Sequence, residues 1–317
     1  MRIGFLFCHD PLRPARPDPE FAGEVTAVHA AGARLALIGH DALTAGDARG
    51  AVARVPRDSG PYWYRGWMLS AAGYGELARA LRERGCALMT PPGAYVRAHE
   101  LPGWYPVFAE LTPRSAWCPA RPGTPPGTAA LAELAGELVP GAGIVKDHVK
   151  SRKHEWDEAC FVPDLRDPVR LSAVVRRFFA LQDEALTGGL VVREFEPFVP
   201  GGEARVWWLD GEPVLVTAHP DTPAERPLPE LTAVRTAVAA LGCRFVTTDL
   251  ALRSDGGGWR VVEVGDGQVS GLPRGSGGAQ ATSPDVPAGD DGRWAAGSHA
   301  PADVLVRALY GAPAAVR

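Results

Sequence analysis

The amino-acid sequence is poor in lysine, in positive charge and in long apolar runs. Only three of its 33 basic residues are lysine, and the net charge of the 317 residues is −4. Binding to nucleic acid or to a membrane surface usually needs a basic excess, so neither is expected as a partner. No apolar run approaches the ~20 residues that a membrane-spanning helix requires. The first residues, MRIGFLFCHDPLR, lack the basic and long apolar parts of a signal peptide, and none is predicted.

Cysteine is also scarce and without pattern. The five cysteines are odd in number, widely spaced, and form no CxxC pair. This usage is typical of a reducing compartment without a structural zinc site. We therefore predict a cytoplasmic protein whose cysteines are small buried side chains rather than catalytic thiols. The pattern GxGxxG of dinucleotide-binding folds is absent after the predicted strands.

The first third of the chain alternates between predicted strands and helices. Apolar strands at 2–7, 34–39 and 62–69 are interleaved with helical patterns at 20–32 and 74–85. Strand–helix alternation of this kind implies a parallel sheet with helices packed on it. The sequence therefore predicts an α/β domain at the N-terminal end.

A segment rich in proline and glycine, 112–129, follows and indicates a domain boundary. We accordingly predict a first domain over 1–115 and a second over 116–317. The second combines helices with antiparallel strands, one pair of which is joined by an Asp-Gly turn. Near its end, residues 273–301 are mostly Gly, Pro, Ala, Ser and Asp, which predicts a mobile loop that orders on binding.

All three lysines lie within 146-KDHVKSRK-153. Everywhere else the chain uses arginine for positive charge. A compact, flexible ammonium group suits phosphate that is held as a point charge, so the cluster suggests a phosphate site. The alternative interpretation is a solvated basic turn, where charge runs are usually found.

Acidic residues stand at strand positions in the second domain. A hairpin with its loop at 254-SDGGG-258 would bring Asp249 and Glu263 close across two strands. Facing acids repel one another, and a divalent cation such as Mg²⁺ would resolve the conflict. Two acids on a solvent-facing strand are the alternative. On another predicted strand, Glu203 and Arg205 are two residues apart and share a face, where the arginine could stabilise phosphoryl charge.

The stretch 192-VREFEPF-198 places Glu194 and Glu196 on either side of Phe195. It reads either as a hinge that presents backbone hydrogen bonds to a purine or as an ordinary half-buried strand. Arg65, near the end of a predicted strand, is a candidate for binding a substrate carboxylate or for a structural role. Arg193 is a further candidate substrate-binding residue.

Taken in order, these motifs resemble the ATP-grasp superfamily, and within it a clade of predicted bacterial and phage carboxylate–amine (peptide) ligases. The similarity extends from about Tyr62 to Pro273. The phrases that carry it are YRGWML, HELPGWYPVFAELTP, KDHVKSRKHEW, VVREFEPF, EARVWWLDG, FVTTDLA and VEVGDGQVSGLP. The resemblance implies α/β and α+β architecture: a Rossmann-like pre-ATP-grasp domain, then an ATP-grasp domain of two α+β subdomains that grip ATP.

The resemblance also implies roles for individual residues. Arg205 and Lys146 are expected to be catalytic, Arg205 facing the transferred phosphate. Mg²⁺ or Mn²⁺ is expected on Asp249 and Glu263. The remaining residues implied in ATP binding, beside Lys146 itself, are Lys150, Ser151, Arg152, Lys153, Glu194, Phe195, Glu196 and Glu203.

The sequence departs from the superfamily at Gly265, where asparagine usually follows the metal-binding glutamate. Asp266, one residue later, is therefore a further predicted metal ligand or a substrate contact. The implied activity is an ATP-dependent ligase that activates a carboxylate as an acyl phosphate and joins it to an amine. A kinase and a non-catalytic nucleotide-binding module remain alternatives. Small-molecule or peptide acids and amines are the expected partners, and a homodimer is one candidate assembly.

Overall fold

The computed structural model describes residues 3–222, 228–273 and 300–314 of the chain. Contacts divide the chain into two compact units. Unit 1 comprises Met1–Ala98, Pro200–Leu250 and Glu263–Arg317, and unit 2 comprises His99–Val199 and Ala251–Val262. The predicted division at 115/116 concerns domain organisation and stays a prediction. Residues 274–299 of the loop predicted at 273–301 lie outside the described residues.

The helices of the described residues alternate with the strands in the first third of the chain, as the sequence predicts. In chain order the strands are β1 (Gly4–Asp10), β2 (Arg13–Pro17), β3 (Arg34–Ile38), β4 (Tyr62–Arg65), β5 (Ser115–Pro119), β6 (Gly143–Asp147), β7 (Phe161–Val162), β8 (Gly189–Glu194), β9 (Phe198–Leu209), β10 (Glu212–Ala218), β11 (Phe245–Arg253) and β12 (Trp259–Asp266). The α-helices are α1 (Ala22–Ala30), α2 (His40–Thr44), α3 (Ala48–Ala51), α4 (Ala71–Arg82), α5 (Pro92–His99), α6 (Leu101–Phe108), α7 (Thr128–Gly136), α8 (Pro168–Gln182), α9 (Thr232–Leu241) and α10 (Pro301–Gly311).

Unit 1 is built on a small, mostly parallel sheet. β1 lies between β3 and β4 and runs parallel to both, while β2 pairs antiparallel with the last residues of β1. The first five residues of β1 and all four of β4 are buried. Near-continuous apolar strands of this kind are typical of parallel sheets covered on both faces. The predicted α/β architecture of this region is confirmed.

A second sheet, with strand order β10-β9-β11-β12, falls mainly in unit 1. Its first two strands pair antiparallel across Asp210 and Gly211, whose φ angles are 52° and 88°. Positive φ at both turn residues is the signature of the tight hairpin that the Asp-Gly pair predicts. Trp207 and Phe245 from this sheet stack at 6.0 Å between ring centroids and belong to the unit 1 core.

Unit 2 contains an antiparallel sheet with strand order β5-β8-β6-β7. Its apolar face packs against α7 and α8, with Phe178 and Val192 among the fully buried side chains. β5 lies inside the proline- and glycine-rich segment 112–129, so part of that segment is a paired strand. Asp167 caps α8 and Pro168 opens it, where a missing N–H costs nothing.

None of the helices in the described part of the chain is long and apolar enough to cross a membrane.

Gly189, the first residue of β8, lies close to the backbone of the neighbouring strand β5. A Cβ there would overlap the carbonyl oxygen of Cys118 and lie 2.9 Å from Pro119 Cα. We expect Gly189→Ala to destabilise the fold by about 2–4 kcal/mol, because neighbouring backbone must shift. Urea unfolding measures this, with Gly136→Ala as the control, since a Cβ there meets nothing within 4 Å. Equal stability of the two variants would contradict the packing described.

Candidate functional site

Arg205 and Asp249 form a buried ion pair on neighbouring strands of unit 1. Arg205 projects from β9 and Asp249 from the adjacent β11. The guanidinium donates from Nε to Asp249 Oδ1 and from Nη2 to Oδ2, each at 2.7 Å. Their side chains are only 12% and 5% exposed. A two-pronged pair of this kind fixes the orientation of both side chains.

Two further groups complete a cluster around Asp249. Glu203 lies on β9, and His219 directly follows β10, with the His219 N–H donating to the Glu203 carbonyl oxygen at 3.3 Å. His219 Nε2 is 3.5 Å from Asp249 Oδ2 and 3.8 Å from Glu203 Oε1. One ligand atom from each of the three residues lies within 4.8 Å of the others. The two carboxylates are ligands that suit Mg²⁺ or Mn²⁺, whereas an imidazole is more usual on transition-metal ions.

The charged groups of the cluster shift one another's pKa values. Burial opposes ionisation of Asp249, but attraction and hydrogen bonds from Arg205, with a smaller contribution from His219, hold its pKa well below the usual range. Burial likewise opposes the charge of Arg205, yet Asp249, Glu263 and Glu203 raise its pKa. Burial also lowers the pKa of His219, but Asp249 and Glu203 outweigh it and the net pKa is raised. A bound cation would compete with protons for that imidazole.

Glu263 and Asp266, both predicted as metal ligands, occupy different surroundings. Glu263 on β12 is half-buried and near enough to act on the charge of Arg205. Asp266 is fully buried, and its Oδ1 accepts hydrogen bonds from Gln268 N at 2.9 Å and Gln268 Nε2 at 3.0 Å. Burial raises its pKa to about 7 despite these bonds. The structure therefore does not bring Asp266 into the cluster of metal-binding atoms.

Lys146 lies near the end of β6 in unit 2 and is 5% exposed. Its Nζ donates to the Val149 carbonyl oxygen at 3.2 Å. The next residue, Asp147, organises the turn that follows: Oδ1 accepts from the N–H groups of Val149 and Lys150, while Oδ2 accepts from Gln182 Nε2 at 2.8 Å. The lysine-rich segment thus begins in a fixed turn.

The rest of that segment divides into exposed and anchored side chains. Lys150 and Lys153 are exposed. Arg152 is partly buried and donates to the Leu181 carbonyl oxygen, and Ser151 forms an isolated bridge with β6. Of the four residues after Lys146 that are predicted to bind ATP, Ser151 and Arg152 are therefore anchored within unit 2.

The predicted hinge 194–196 has its side chains engaged within unit 2. Glu194 Oε1 accepts from the Val139 N–H at 2.7 Å, and Glu196 forms a double ion pair with Arg260 at 3.0 Å for each oxygen. Phe195 is 39% exposed and packs edge-on against Phe161. Of the three side chains in this segment, that of Phe195 is the most exposed.

The two candidate substrate-binding arginines are buried and bonded to other parts of the protein. Arg65 is fully buried, with a double ion pair to Glu24 at 2.7 Å for each contact and a 3.0 Å hydrogen bond to Ser270 O. Arg193 is 4% exposed and donates to Ser115 Oγ at 3.0 Å and to Val262 O at 2.7 Å. These contacts favour a structural role for both arginines, and the substrate-binding role considered for each stays a prediction.

Comparison with known protein families shows which family the chain matches. The family described as "ATP-grasp domain, R2K clade family 3" matches residues 134–308, which is 175 of 317 residues. The chain belongs to this ATP-grasp family. No curated protein sequence matches it.

Three solved structures resemble this ATP-grasp chain in fold. D-cycloserine synthetase DcsG has a TM-score of 0.54 at 16% identity, over 83% of this chain and 90% of that one. ATP-grasp ligase PsnB, complexed with minimal precursor, Mg and ADP, has a TM-score of 0.52 at 14% identity, over 96% of each chain. A RimK domain ATP-grasp protein from Sphaerobacter thermophilus has a TM-score of 0.52 at 14% identity, over 84% and 92%. These likenesses confirm the ATP-grasp fold.

Gly265 stands where ATP-grasp sequences usually have asparagine. A Cβ at this position would lie 3.1 Å from Thr247 Oγ1 and 3.4 Å from Ser270 Oγ. Those two hydroxyls share a 2.7 Å hydrogen bond. The space beside Gly265 is thus taken by hydroxyl groups, and an asparagine would fit only if they moved.

Sequence reasoning did not single out His219 in this ATP-grasp chain. The register of the hairpin shifts between Pro213 and Leu215, and after the shift Ala204 pairs with Ala218. Without that bulge, Glu203 would lie opposite Ala218 rather than His219. The sequence does show a histidine just after the strand that pairs with the Glu-x-Arg strand. The bulge that brings this histidine opposite Glu203 cannot be predicted from the sequence.

Proposed function

We propose that this ATP-grasp chain is an ATP-dependent carboxylate–amine ligase that forms an amide through an acyl phosphate, with ATP and Mg²⁺ or Mn²⁺ as cofactors. The observation that carries the proposal is the cluster of Glu203, His219 and Asp249 around Arg205 in unit 1. It combines a donor set for a divalent cation with a buried arginine. Both kinds of group stabilise the charge of a transferred phosphoryl group.

The fold neighbours support the choice of reaction class and of substrates. The PsnB structures contain a precursor peptide with AMPPNP, or a minimal precursor with Mg and ADP, and DcsG is a D-cycloserine synthetase. By analogy, we propose peptide or small-molecule acids and amines as substrates of this chain.

Asp249, Glu203 and His219 would hold the cation, with Glu263 adding negative charge nearby. A bound Mg²⁺ would supply positive charge that neutralises phosphate oxygens. Arg205 is held in place by Asp249 and by the Gly271 carbonyl oxygen, and its fixed positive charge would stabilise charge on a nearby phosphoryl group. Its elevated pKa keeps it cationic throughout.

The proposed reaction has two steps. A carboxylate oxygen of the acid attacks the γ-phosphorus of ATP, the bond to the β-phosphate oxygen breaks, and ADP leaves. The amine nitrogen then attacks the acyl carbon, the carbon–oxygen bond to phosphate breaks, and inorganic phosphate and a proton are released. This route needs no covalent nucleophile, in keeping with the five free cysteines, of which four are buried and Cys118 is half-buried.

The family resemblance supports phosphate-binding roles for Lys146 and the exposed Lys150 and Lys153. It also supports keeping Phe195 as the adenine-side contact. The division into a pre-ATP-grasp domain over 1–115 and an ATP-grasp domain over 116–317 is part of the same proposal. The family match at 134–308 falls within the second of these.

A product screen tests the proposal. The full chain is incubated with Mg-ATP and panels of amino acids and peptides, and ADP and condensation products are measured by mass spectrometry. We expect fast ADP release only when an acid and an amine are both present. ADP and a hydroxylamine-trappable acyl phosphate without amide formation would support a kinase instead. ATP binding without ADP release under any condition would support a non-catalytic nucleotide-binding module.

A further inference from the structure

A cavity of about 400 Å³ opens in unit 1 at the carboxyl ends of the parallel strands. It is lined by His9 near the end of β1, by His40 two residues after β3, and by Trp67 two residues after β4. The remaining lining includes Asp18 and Asp41. The volume falls within the usual range for small-molecule sites and would accept a group the size of an amino acid.

The topology of the sheet singles out this end of β1. From β1 the chain moves to β3 on one side and later returns to β4 on the other side. The order of the strands therefore reverses at β1. In open α/β sheets, ligands bind in the crevice outside the carboxyl ends of the strands at such a reversal.

The lining of the cavity is anionic. Among the described residues, its lining contains the carboxylates of Asp18 and Asp41 but neither lysine nor arginine. Burial lowers the pKa of His40, which keeps its imidazole neutral near pH 7. Arg13 and Arg16 on β2 are the nearest basic residues in sequence, but they are exposed and do not line the cavity. An anionic ligand would thus face repulsion, whereas a cationic one would be attracted.

Trp67, Asp18 and His40 give the cavity groups that can bind an ammonium ion. Trp67 is 41% exposed, and its Nε1 donates to Asp18 Oδ2 at 3.0 Å, which fixes the indole beside a carboxylate. An indole face and a carboxylate together favour a cation. His40 Nδ1 is buried and has no hydrogen-bond partner among residues 3–222, 228–273 and 300–314.

Hydrogen bonds connect the cavity wall with the candidate metal cluster. Gly66, which precedes Trp67 in sequence, donates its N–H to the carbonyl oxygen of Gln268 at 3.2 Å. Gln268 belongs to the segment Gly267–Gly271. The same segment accepts Arg205 Nη1 at the Gly271 carbonyl oxygen, 3.1 Å away. All of these residues belong to unit 1. The backbone beside Trp67 and the side chain of Arg205 therefore bind the same short segment.

From these observations we infer that the cavity binds the ammonium group of the amine substrate, with Asp18 and Asp41 as its counter-charges and Trp67 as its aromatic wall. The description of the ligand as a substrate rests on the proposed ligase function. Binding of a cationic amine in the cavity does not, and can be measured alone.

Ligand-observed NMR on the full chain tests the inference with two matched probe sets near pH 7. One set is the amides of the common amino acids, which carry an ammonium group and no carboxylate. The other is the corresponding N-acetyl amino acids, which carry only a carboxylate. We expect saturation transfer to some amides and not to their acetylated counterparts.

Asp41→Asn and Asp18→Asn are each expected to weaken amide binding about tenfold, because each removes one counter-charge. Asp41 is exposed, so its variant should fold normally. Glu76→Gln on α4 removes an exposed charge elsewhere in unit 1 and should leave amide binding unchanged.

The outcomes separate this inference from the ligase proposal when Mg-ATP binding is measured on the same samples. Wild-type protein that binds Mg-ATP but no amide would overturn the cavity assignment, as would unchanged amide binding in Asp41→Asn and Asp18→Asn. Preference for the N-acetyl acids would also overturn it. Amide binding that depends on Asp41 without any binding of Mg-ATP would support the cavity and count against the ligase.

Discussion

Asp249→Asn is expected to lower Mg²⁺-dependent ATP turnover by about 100-fold or more. The substitution keeps the shape of the side chain but removes the charge that anchors both the proposed cation and Arg205, whose Nε and Nη2 lie 2.7 Å from its two oxygens. Turnover is measured as ADP release, and binding as the calorimetric titration of Mg-ATP. We expect the binding that requires Mg²⁺ to be lost as well.

The same substitution should also reduce stability, because Arg205 would remain buried without its anionic partner. The cost for such a broken pair is about 3–5 kcal/mol. Circular dichroism at low temperature therefore has to show that the variant is folded before its activity is interpreted. Asp255→Asn is the matched control, since Asp255 lies in the turn of the same β11–β12 hairpin and is partly exposed. Folded Asp249→Asn with wild-type binding of Mg-ATP would rule out the metal assignment.

Local patterns in the sequence were sufficient for most of the architecture. The apolar stretch in β1 and its alternation with helices predict a parallel sheet, because a strand covered on both faces must be apolar throughout. The Asp-Gly pair predicts a tight turn, because both of its residues accept positive φ. Each of these signals depends only on neighbouring residues, so no knowledge of the folded chain was needed.

The candidate site was predictable where it follows strand order and not where it depends on distant partners. Arg205 and Asp249 meet because their strands are neighbours in the sheet. Arg65, in contrast, owes its structural role to Glu24, 41 residues away, and to Ser270, 205 residues away. A single sequence does not show that such partners have already used the donors of an arginine. The same reason explains the engaged side chain of Glu196.

Asp266 shows most clearly what a single sequence cannot predict, because its ionisation depends on burial rather than on its neighbours in sequence. An acid three residues after Glu263 at a strand end suggests a metal ligand, and the sequence predicts one. In the fold, Asp266 is fully buried, and its Oδ2 has no hydrogen-bond partner within the described residues. A carboxylate in that position is costly unless it is protonated.

Asp266→Asn is accordingly expected to stabilise the protein at alkaline pH. Burial raises the pKa of this carboxyl from 3.8, the value of an unperturbed aspartate, to about 7 in the fold. Between these values the folded state holds a proton that the unfolded state has released, so the free energy of unfolding falls as pH rises and is lowest above about pH 7. Asparagine cannot ionise and avoids this loss, which amounts to on the order of 4 kcal/mol for a shift of about three pH units.

Urea unfolding of wild type and Asp266→Asn from pH 4 to pH 8 measures the difference. We expect the two curves to lie close together near pH 4 and to diverge in favour of the variant as pH rises. Glu133→Gln, an exposed substitution on α7, should follow the wild type throughout. A constant difference between variant and wild type across the range would contradict a protonated Asp266. Mg-ATP binding decides the rest: binding retained in Asp266→Asn would place this residue outside the metal site, whereas its loss would restore the role that the sequence predicts.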